Sequence, residues 1–130
     1  MPSLTIGEVA ARAGVNTSRI RYYERLGVLP EAERVGGQRR YGEGILHRLA
    51  IVDVAQRAGL TLEEIRGLTG PGNRAGPRVR ALAERKLPEA EALIARTEAV
   101  KAWLELARTC DCRTVDVCSL FTDPALAPPT

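Results

Sequence analysis

Aromatic side chains are scarce in this chain of 130 residues: one Trp, three Tyr and one Phe, or 4% of the whole. The hydrophobic content of 45% still suffices for a packed core. A chain of this length makes one domain, or a small domain with an appendage, and is too short for most multi-domain enzymes. No apolar run approaches the ~18–20 residues of a membrane span, so no membrane association is expected. The opening Met1-Pro2-Ser3-Leu4-Thr5-Ile6-Gly7-Glu8 has neither the basic nor the apolar region of a secretory signal, and a soluble, cytoplasmic protein is expected. A phosphate-cradling loop and a dinucleotide-binding glycine motif are both missing. No base lies close in sequence to a cysteine nucleophile, so the sequence reads as a non-enzyme. Lysine is nearly absent too, with Lys86 and Lys101 the only two among 19 basic residues. The remainder are Arg, the side chain suited to bidentate phosphate and guanine contacts.

The charge is unevenly placed. Residues 1–59 carry nine Arg and six acidic residues, while residues 60–130 carry ten basic and ten acidic residues, so the whole excess of +3 lies in the first half. Thr5-Ile6-Gly7-Glu8 has the form of a capping box, and Ile6, Val9, Ala10 and Ala13 follow at helical spacing. That predicts a helix over 6–13, closed by Gly14. Asn16 is suited to N-cap a second helix through Leu26, which Gly27 ends. Two short helices joined by a tight turn, the second opening on polar residues, make a helix-turn-helix. From Val28 to Tyr41 the chain carries Gly36-Gly37 between short flanks, the pattern of a small β-hairpin or wing. Helical periodicity resumes over 43–58 through Ile45, Leu46, Leu49, Val52 and Ala55. A second capping box, Thr61-Leu62-Glu63-Glu64, opens a helix with Ile65 and Leu68 on its apolar side.

A breaker-rich linker over 71–77 separates this region, 1–70, from a long helical segment over 78–108. Val79, Ala83, Ala90, Leu93, Thr97, Val100, Leu104 and Ala107 form a stripe along it, widened by Leu82, Leu87, Ile94 and Trp103. A helix of roughly 45 Å cannot bury such a stripe on a domain of this size, and it calls for a partner helix, most simply from a second subunit. Leu93, Thr97, Val100 and Leu104 are the expected dimer seam. Pro88 interrupts the pattern and predicts a kink, or a straight helix that begins after it. Cys110, Cys112 and Cys118 follow in a loop over 109–123, and a proline-rich tail over 124–130 is expected to fray. In a reduced cytoplasm a C-x-C-x5-C cluster reads as a metal or redox site before a disulfide framework. Thiolates select soft ions such as Zn, Cu(I), Hg, Cd or Pb, or iron–sulfur clusters.

The segments Ile6-Gly7-Glu8-Val9-Ala10, Gly14-Val15 and Ile20-Arg21-Tyr22-Tyr23-Glu24-Arg25-Leu26-Gly27-Val28-Leu29 resemble the opening of the MerR family of bacterial transcription regulators. Arg34, Gly37, Arg39 and Tyr41 fall where that family's wing carries the same residue types, and Gly59-Leu60-Thr61-Leu62-Glu63-Glu64-Ile65 matches its second helical pair. Gln38 departs from it, standing where an aromatic is common. The resemblance implies a mainly α fold: a winged helix-turn-helix domain, an antiparallel coiled coil joining two subunits, and an effector loop. It further implies a homodimer on a palindromic operator within an over-long promoter spacer, which activates RNA polymerase by distorting the DNA.

Within that frame Thr17, Ser18 and Arg21 lie where a recognition helix meets the major groove. Tyr22 and Tyr23 are expected to divide between a phosphate contact and the core. Arg34 and Arg39, with Arg40 and Tyr41 beside them, are expected to contact the backbone. Cys110 and Cys118 match the loop spacing of the family's copper-responsive branch, with Cys112 an additional thiolate. Branches that take a further cysteine from the partner's helix find no counterpart in Ala75-Gly76-Pro77-Arg78. The alternative is the SoxR-like branch with a [2Fe–2S] cluster, whose first ligand falls on Ala107 and would have to be replaced, for example by Asp111. A structural zinc site is the remaining reading. His47 is expected to have a packing or surface role, and Trp103 to make a coiled-coil or domain contact.

Overall fold

A computed structural model describes residues 4–70 and 74–130. Met1-Pro2-Ser3 of the opening and Pro71-Gly72-Asn73 of the expected linker lie outside the described residues. The chain divides near Ala75 into two compact units. The first comprises α1 (Ile6–Ala13), α2 (Thr17–Leu26), the hairpin of β1 (Glu33–Val35) and β2 (Gln38–Arg40), α3 (Gly44–Arg57) and α4 (Leu62–Thr69). The second comprises α5 (Ala75–Ala107), a 3-10 turn at Val115–Val117, α6 (Ser119–Thr122) and a second 3-10 turn at Pro124–Leu126.

Both expected capping boxes form. Thr5 Oγ1 accepts from Glu8 N–H and the Glu8 carboxylate accepts from Thr5 N–H; Thr61 and Glu64 reproduce the arrangement on α4. Each box satisfies two of the backbone donors that a helix start leaves unpaired. Gly14 and Gly27 end α1 and α2 in the left-handed region, at φ 69° and 78°. There a side chain would be strained, so the helices stop and turn.

In the hairpin, Glu33 pairs with Arg40, Arg34 with Arg39 and Val35 with Gln38. Gly36 and Gly37 have φ of 60° and 83°, the two positive values that a tight hairpin turn of matching twist requires. Leu4 extends the wing by a bridge to Tyr41, with N–H to O distances of 3.0 and 2.8 Å, a pairing that periodicity did not suggest.

Val9, Ile20, Val28, Val52 and Ile65 are fully enclosed and bring α1, α2, the chain after Gly27, α3 and α4 onto one core. Burying each such side chain stabilises by about 1.5–3 kcal/mol. The core is aliphatic except for Tyr23 and Tyr41.

The long helix departs from expectation at its start, and it does not wait until after Pro88 to begin. It begins at Ala75, ahead of the expected Arg78, and runs unbroken through Pro88. Pro77 falls in the first turn, where the missing N–H has no intrahelical partner to lose. At Pro88 the helix forgoes a bond to the Glu84 carbonyl, and both residues are exposed, so water can satisfy that group. The tail also departs from expectation. Asp123 caps the 3-10 turn through Ala125 N–H at 3.0 Å, and Pro129 and Thr130 line a cleft with Ala92, Leu93, Ala95 and Arg96 of α5. The segment after the cysteines thus returns alongside the helix.

The α1 capping box carries a pH signature. Backbone and side-chain hydrogen bonds with Thr5 hold the Glu8 carboxyl below its ordinary value of 4.5. A depressed carboxyl stabilises the fold above its ordinary value and loses that contribution as pH falls through the lowered one. Glu8→Gln keeps the hydrogen bond without the charge. Thermal melts from pH 7 to pH 3 should therefore show the wild type losing more melting temperature than Glu8→Gln, and parallel losses would refute the assignment.

Candidate nucleic-acid interface and metal centre

On α2 the N-cap Asn16 accepts from Arg19 N–H and from the Ser18 hydroxyl, both at 2.8 Å. Ser18 is exposed but its proton is committed to the cap, leaving its oxygen as an acceptor. Thr17 is half-buried, and Arg21 is exposed one turn further on. The two adjacent tyrosines differ in burial. Tyr22 is 44% exposed, with the Arg25 guanidinium 5.6 Å from its ring centroid. Tyr23 is buried and donates its hydroxyl to Gln56 Oε1 of α3 at 3.2 Å.

Arg34 and Arg39 face each other across the hairpin. Like charges directly opposed on a two-stranded ribbon are destabilising. Arg34 donates to Gly37 O at 3.4 Å, while Arg39 and Arg40 are half-buried. Tyr41 requires a correction. It is 3% exposed, so it belongs to the core and is not presented to a ligand. Its hydroxyl donates to Glu24 Oε1 of α2, and Ala32 N–H donates to the other oxygen at 3.4 Å. Burial first, and then Glu24, push the Tyr41 phenol above its ordinary value. Sequence reading passed over Glu24, whose role shows only when helix and wing are brought together.

The second unit builds a thiol cluster. Cys110 N–H donates to Ala107 O at 3.1 Å, fixing the first cysteine to the end of α5. Cys118 sits at the start of α6 and is 2% exposed; its carbonyl accepts from the N–H groups of Phe121 and Thr122 and from the Thr122 hydroxyl. Between them the 3-10 turn folds the chain back, so that the sulfurs of Cys110 and Cys118 stand 3.6 Å apart. The three Sγ atoms lie within 4.8 Å of one another, the one such group of potential metal donors among the described residues. Neither Asp111 nor His47 contributes to it. Sulfur-only donors at this spacing fit a soft ion.

The backbone N–H of Cys112, followed by the thiols of Cys118 and Cys112, holds the Cys110 thiol below its ordinary value. The Cys112 thiol is pushed up to about 11, first by its hydrogen bonds to Cys118 and Cys110 and then by desolvation. The thiols thus share protons, and a cation would displace the last of them.

Trp103 braces this loop. Its indole N–H donates to Leu120 O at 3.1 Å, and its ring meets Phe121 edge-on with centroids 5.1 Å apart. Its position seven residues before Cys110 gave no hint of this contact. Of the expected seam residues, Leu93 and Leu104 are 63% and 52% exposed. Val100 is half-buried, and Thr97 returns its hydroxyl to Leu93 O at 2.8 Å.

A winged helix-turn-helix followed by a long helix and a thiol-bearing loop defines a helix-turn-helix regulatory protein. The family "MerR HTH family regulatory protein" matches residues 4–69, and "MerR, DNA binding" matches residues 46–107. The chain is 40% identical over 123 residues to a mercuric resistance operon regulatory protein of Pseudomonas fluorescens, covering 90% of this chain and 83% of that one. It is 48% identical over 66 residues to a regulator of the same description from Serratia marcescens; there it spans about half of each chain, 50% of this one and 46% of the other. The solved lead(II) complex of the transcription regulator PbrR691 from Ralstonia metallidurans CH34 superposes with a TM-score of 0.73 at 31% identity, covering 96% of this chain and all of that one. The chain belongs to the MerR family, whose members are DNA-binding transcription regulators and not enzymes.

Because Tyr41 joins core and wing while Tyr22 lies on the surface, removing the two hydroxyls should have unequal effects. Tyr41→Phe strands a half-buried carboxylate and should cost about 1–3 kcal/mol in urea unfolding. Tyr22→Phe should stay within about 0.5 kcal/mol of wild type. Equal stabilities for the two variants would contradict the Glu24 linkage.

Proposed function

We propose that this chain is a cytoplasmic, homodimeric transcription regulator that binds a palindromic operator and is switched by a soft metal ion held by Cys110, Cys112 and Cys118. The observation that carries this reading is the convergence of three thiols at the end of the long helix, in a chain whose other unit is the family's DNA-binding domain. Its similarity to mercuric resistance regulators and to a lead(II)-bound regulator favours a large thiophilic ion such as Hg(II) or Pb(II). A [2Fe–2S] cluster is less well served. Such clusters take four thiolates, the chain has three, and the fourth position is Ala107 at the end of α5.

Thr17, Ser18 and Arg21 supply the groove contacts, and Tyr22 from the helix with Arg34, Arg39 and Arg40 from the wing supply phosphate contacts, setting affinity and salt dependence. Leu93, Thr97, Val100 and Leu104 form the seam of an antiparallel coiled coil with the second subunit. The operator lies within an over-long promoter spacer. The metal-loaded dimer distorts it so that RNA polymerase can engage both promoter elements. An ion changes that outcome only by binding the activating conformation more tightly than the repressing one. Trp103, held to Leu120 and Phe121 just beyond Cys118, is the route by which an ordered loop fixes the helix end.

Two experiments test this. Arg21→Ala should weaken binding to the operator beside its own gene by about 1–3 kcal/mol at fixed salt, whereas Cys118→Ser should bind the operator normally and lose Hg(II)- or Pb(II)-dependent transcription in a reporter assay. Full metal response in Cys110→Ser and Cys118→Ser would defeat the sensing role, and loss of folding together with metal would establish a structural zinc site instead. Val100→Glu places a carboxylate in the proposed seam and should sediment as a monomer; an intact dimer would move the seam elsewhere.

A further inference from the structure

The hairpin carries little packing of its own. β1 is exposed throughout, and β2 is exposed at Gln38 and half-buried at Arg39 and Arg40, so no residue of either strand is buried. A two-stranded hairpin is at best marginally stable alone, and where this one points is decided at its base. The base has two ties. Leu4 pairs with Tyr41 along the backbone, and the Glu24 carboxylate of α2 accepts from the Tyr41 hydroxyl just after β2 and from Ala32 N–H just before β1. Among the described residues, Glu24 is the one α2 side chain hydrogen-bonded to this segment.

Two cations gather around the second tie. The Arg39 and Arg21 guanidiniums both oppose the upward shift that burial, and then Glu24, impose on the Tyr41 phenol, so each lies within electrostatic reach of that hydroxyl. Neither is taken by an ion pair among the described residues. Arg21 is carried by a helix whose Ile20 and Tyr23 are buried in the core, so its place does not depend on the hairpin. Arg39 is carried by the hairpin itself and has no such support.

We propose that Glu24 is a positioning residue for DNA binding: by joining both ends of the hairpin to α2, it sets the wing so that Arg39 reaches the duplex while Arg21 is engaged. Glu24 acts through the hairpin and not by contact with DNA. This rests on the operator-binding reading above and adds a residue that reading leaves out. A carboxylate beside a polyanion opposes binding by charge alone, so a Glu24 without a positioning role would be better lost. Both its oxygens are instead engaged by neutral donors at the hairpin base. A wing fixed before contact also spares the ordering cost of arranging it on the duplex.

The test measures the affinity of the full-length protein for the operator duplex beside its own gene over a range of salt concentrations. Tyr41→Phe, which changes no charge, should reduce affinity about tenfold and lower the slope of log K against log salt by about one, as loss of one phosphate contact does. In that background Arg39→Ala should cost less than about twofold, against about tenfold in wild type, while Arg21→Ala should cost the same in both. A variant that was merely less stable would lose active protein and leave the salt slope and both arginine effects unchanged; that result would overturn the proposal. Glu24→Gln removes a negative charge and sets an amide donor against one of the two donors at the hairpin base. It should weaken binding about threefold or more, and tighter binding would show that Glu24 acts through charge alone and would equally overturn the proposal. If Tyr41→Phe does not fold, Glu24→Gln carries the arginine comparison. Wild-type protein with no preference for the operator over an unrelated duplex of the same length would instead refute the operator reading itself.

Discussion

The carboxylate of Glu24 holds the recognition helix and the wing in one fixed relation, and the polar face of the first unit depends on it. One oxygen accepts from the Tyr41 hydroxyl and the other from Ala32 N–H, so a single side chain of α2 is bonded to both ends of the segment that forms the hairpin. A half-buried carboxylate is costly unless its oxygens are engaged, and here both are. With that tie in place, α2 is joined to both flanks of the hairpin. Tyr23, bonded to Gln56, fixes the other side of the same helix against α3.

The second unit uses a related device. Trp103 is bonded to the Leu120 carbonyl and stacked edge-on against Phe121, so the chain beyond Cys118 is joined to the body of α5. The cluster itself contains opposed tendencies. Cys110 is held below its ordinary value, first by the Cys112 backbone N–H, while Cys112 is raised to about 11, first by its hydrogen bonds to Cys118 and Cys110. Three thiolates at this spacing repel one another, and an incoming cation relieves that repulsion.

Residues whose partners lie within a few positions in sequence were legible. Thr5 with Glu8 and Thr61 with Glu64 close their capping boxes across three residues, and Gly36-Gly37 makes a turn whose ends are adjacent. Val9, Ile45, Leu49, Val52 and Ile65 fell on the buried faces that helical spacing assigned to them. Contacts that join distant parts of the chain were not legible. Leu4 pairs with Tyr41 across the whole helix-turn-helix. The roles of Glu24 and Trp103 depend on partners 8 to 17 residues away on other elements. The proline-rich tail shows the same limit, because its composition suggests fraying while its position beside Leu93 and Arg96 gives it a surface to rest on.

By itself the sequence determined α1 to α4, the hairpin turn, the excess of arginine in the first half and the presence of three thiols in one segment, but not α6, which forms within the expected loop. Those features are set by spacing, caps and composition, which act over a few residues. Tertiary structure decided which of two adjacent tyrosines faces outward, that Tyr41 belongs to the core, that α5 passes through Pro88 unbroken, and that all three sulfurs meet at one point. The reason is that each of these is settled by what another segment presents. Tyr23 has the α3 side chain of Gln56 within reach and Tyr22 does not, Tyr41 has Glu24, Glu84 and Pro88 are left exposed, and Cys118 is returned to Cys110 by a turn that its own residues do not announce.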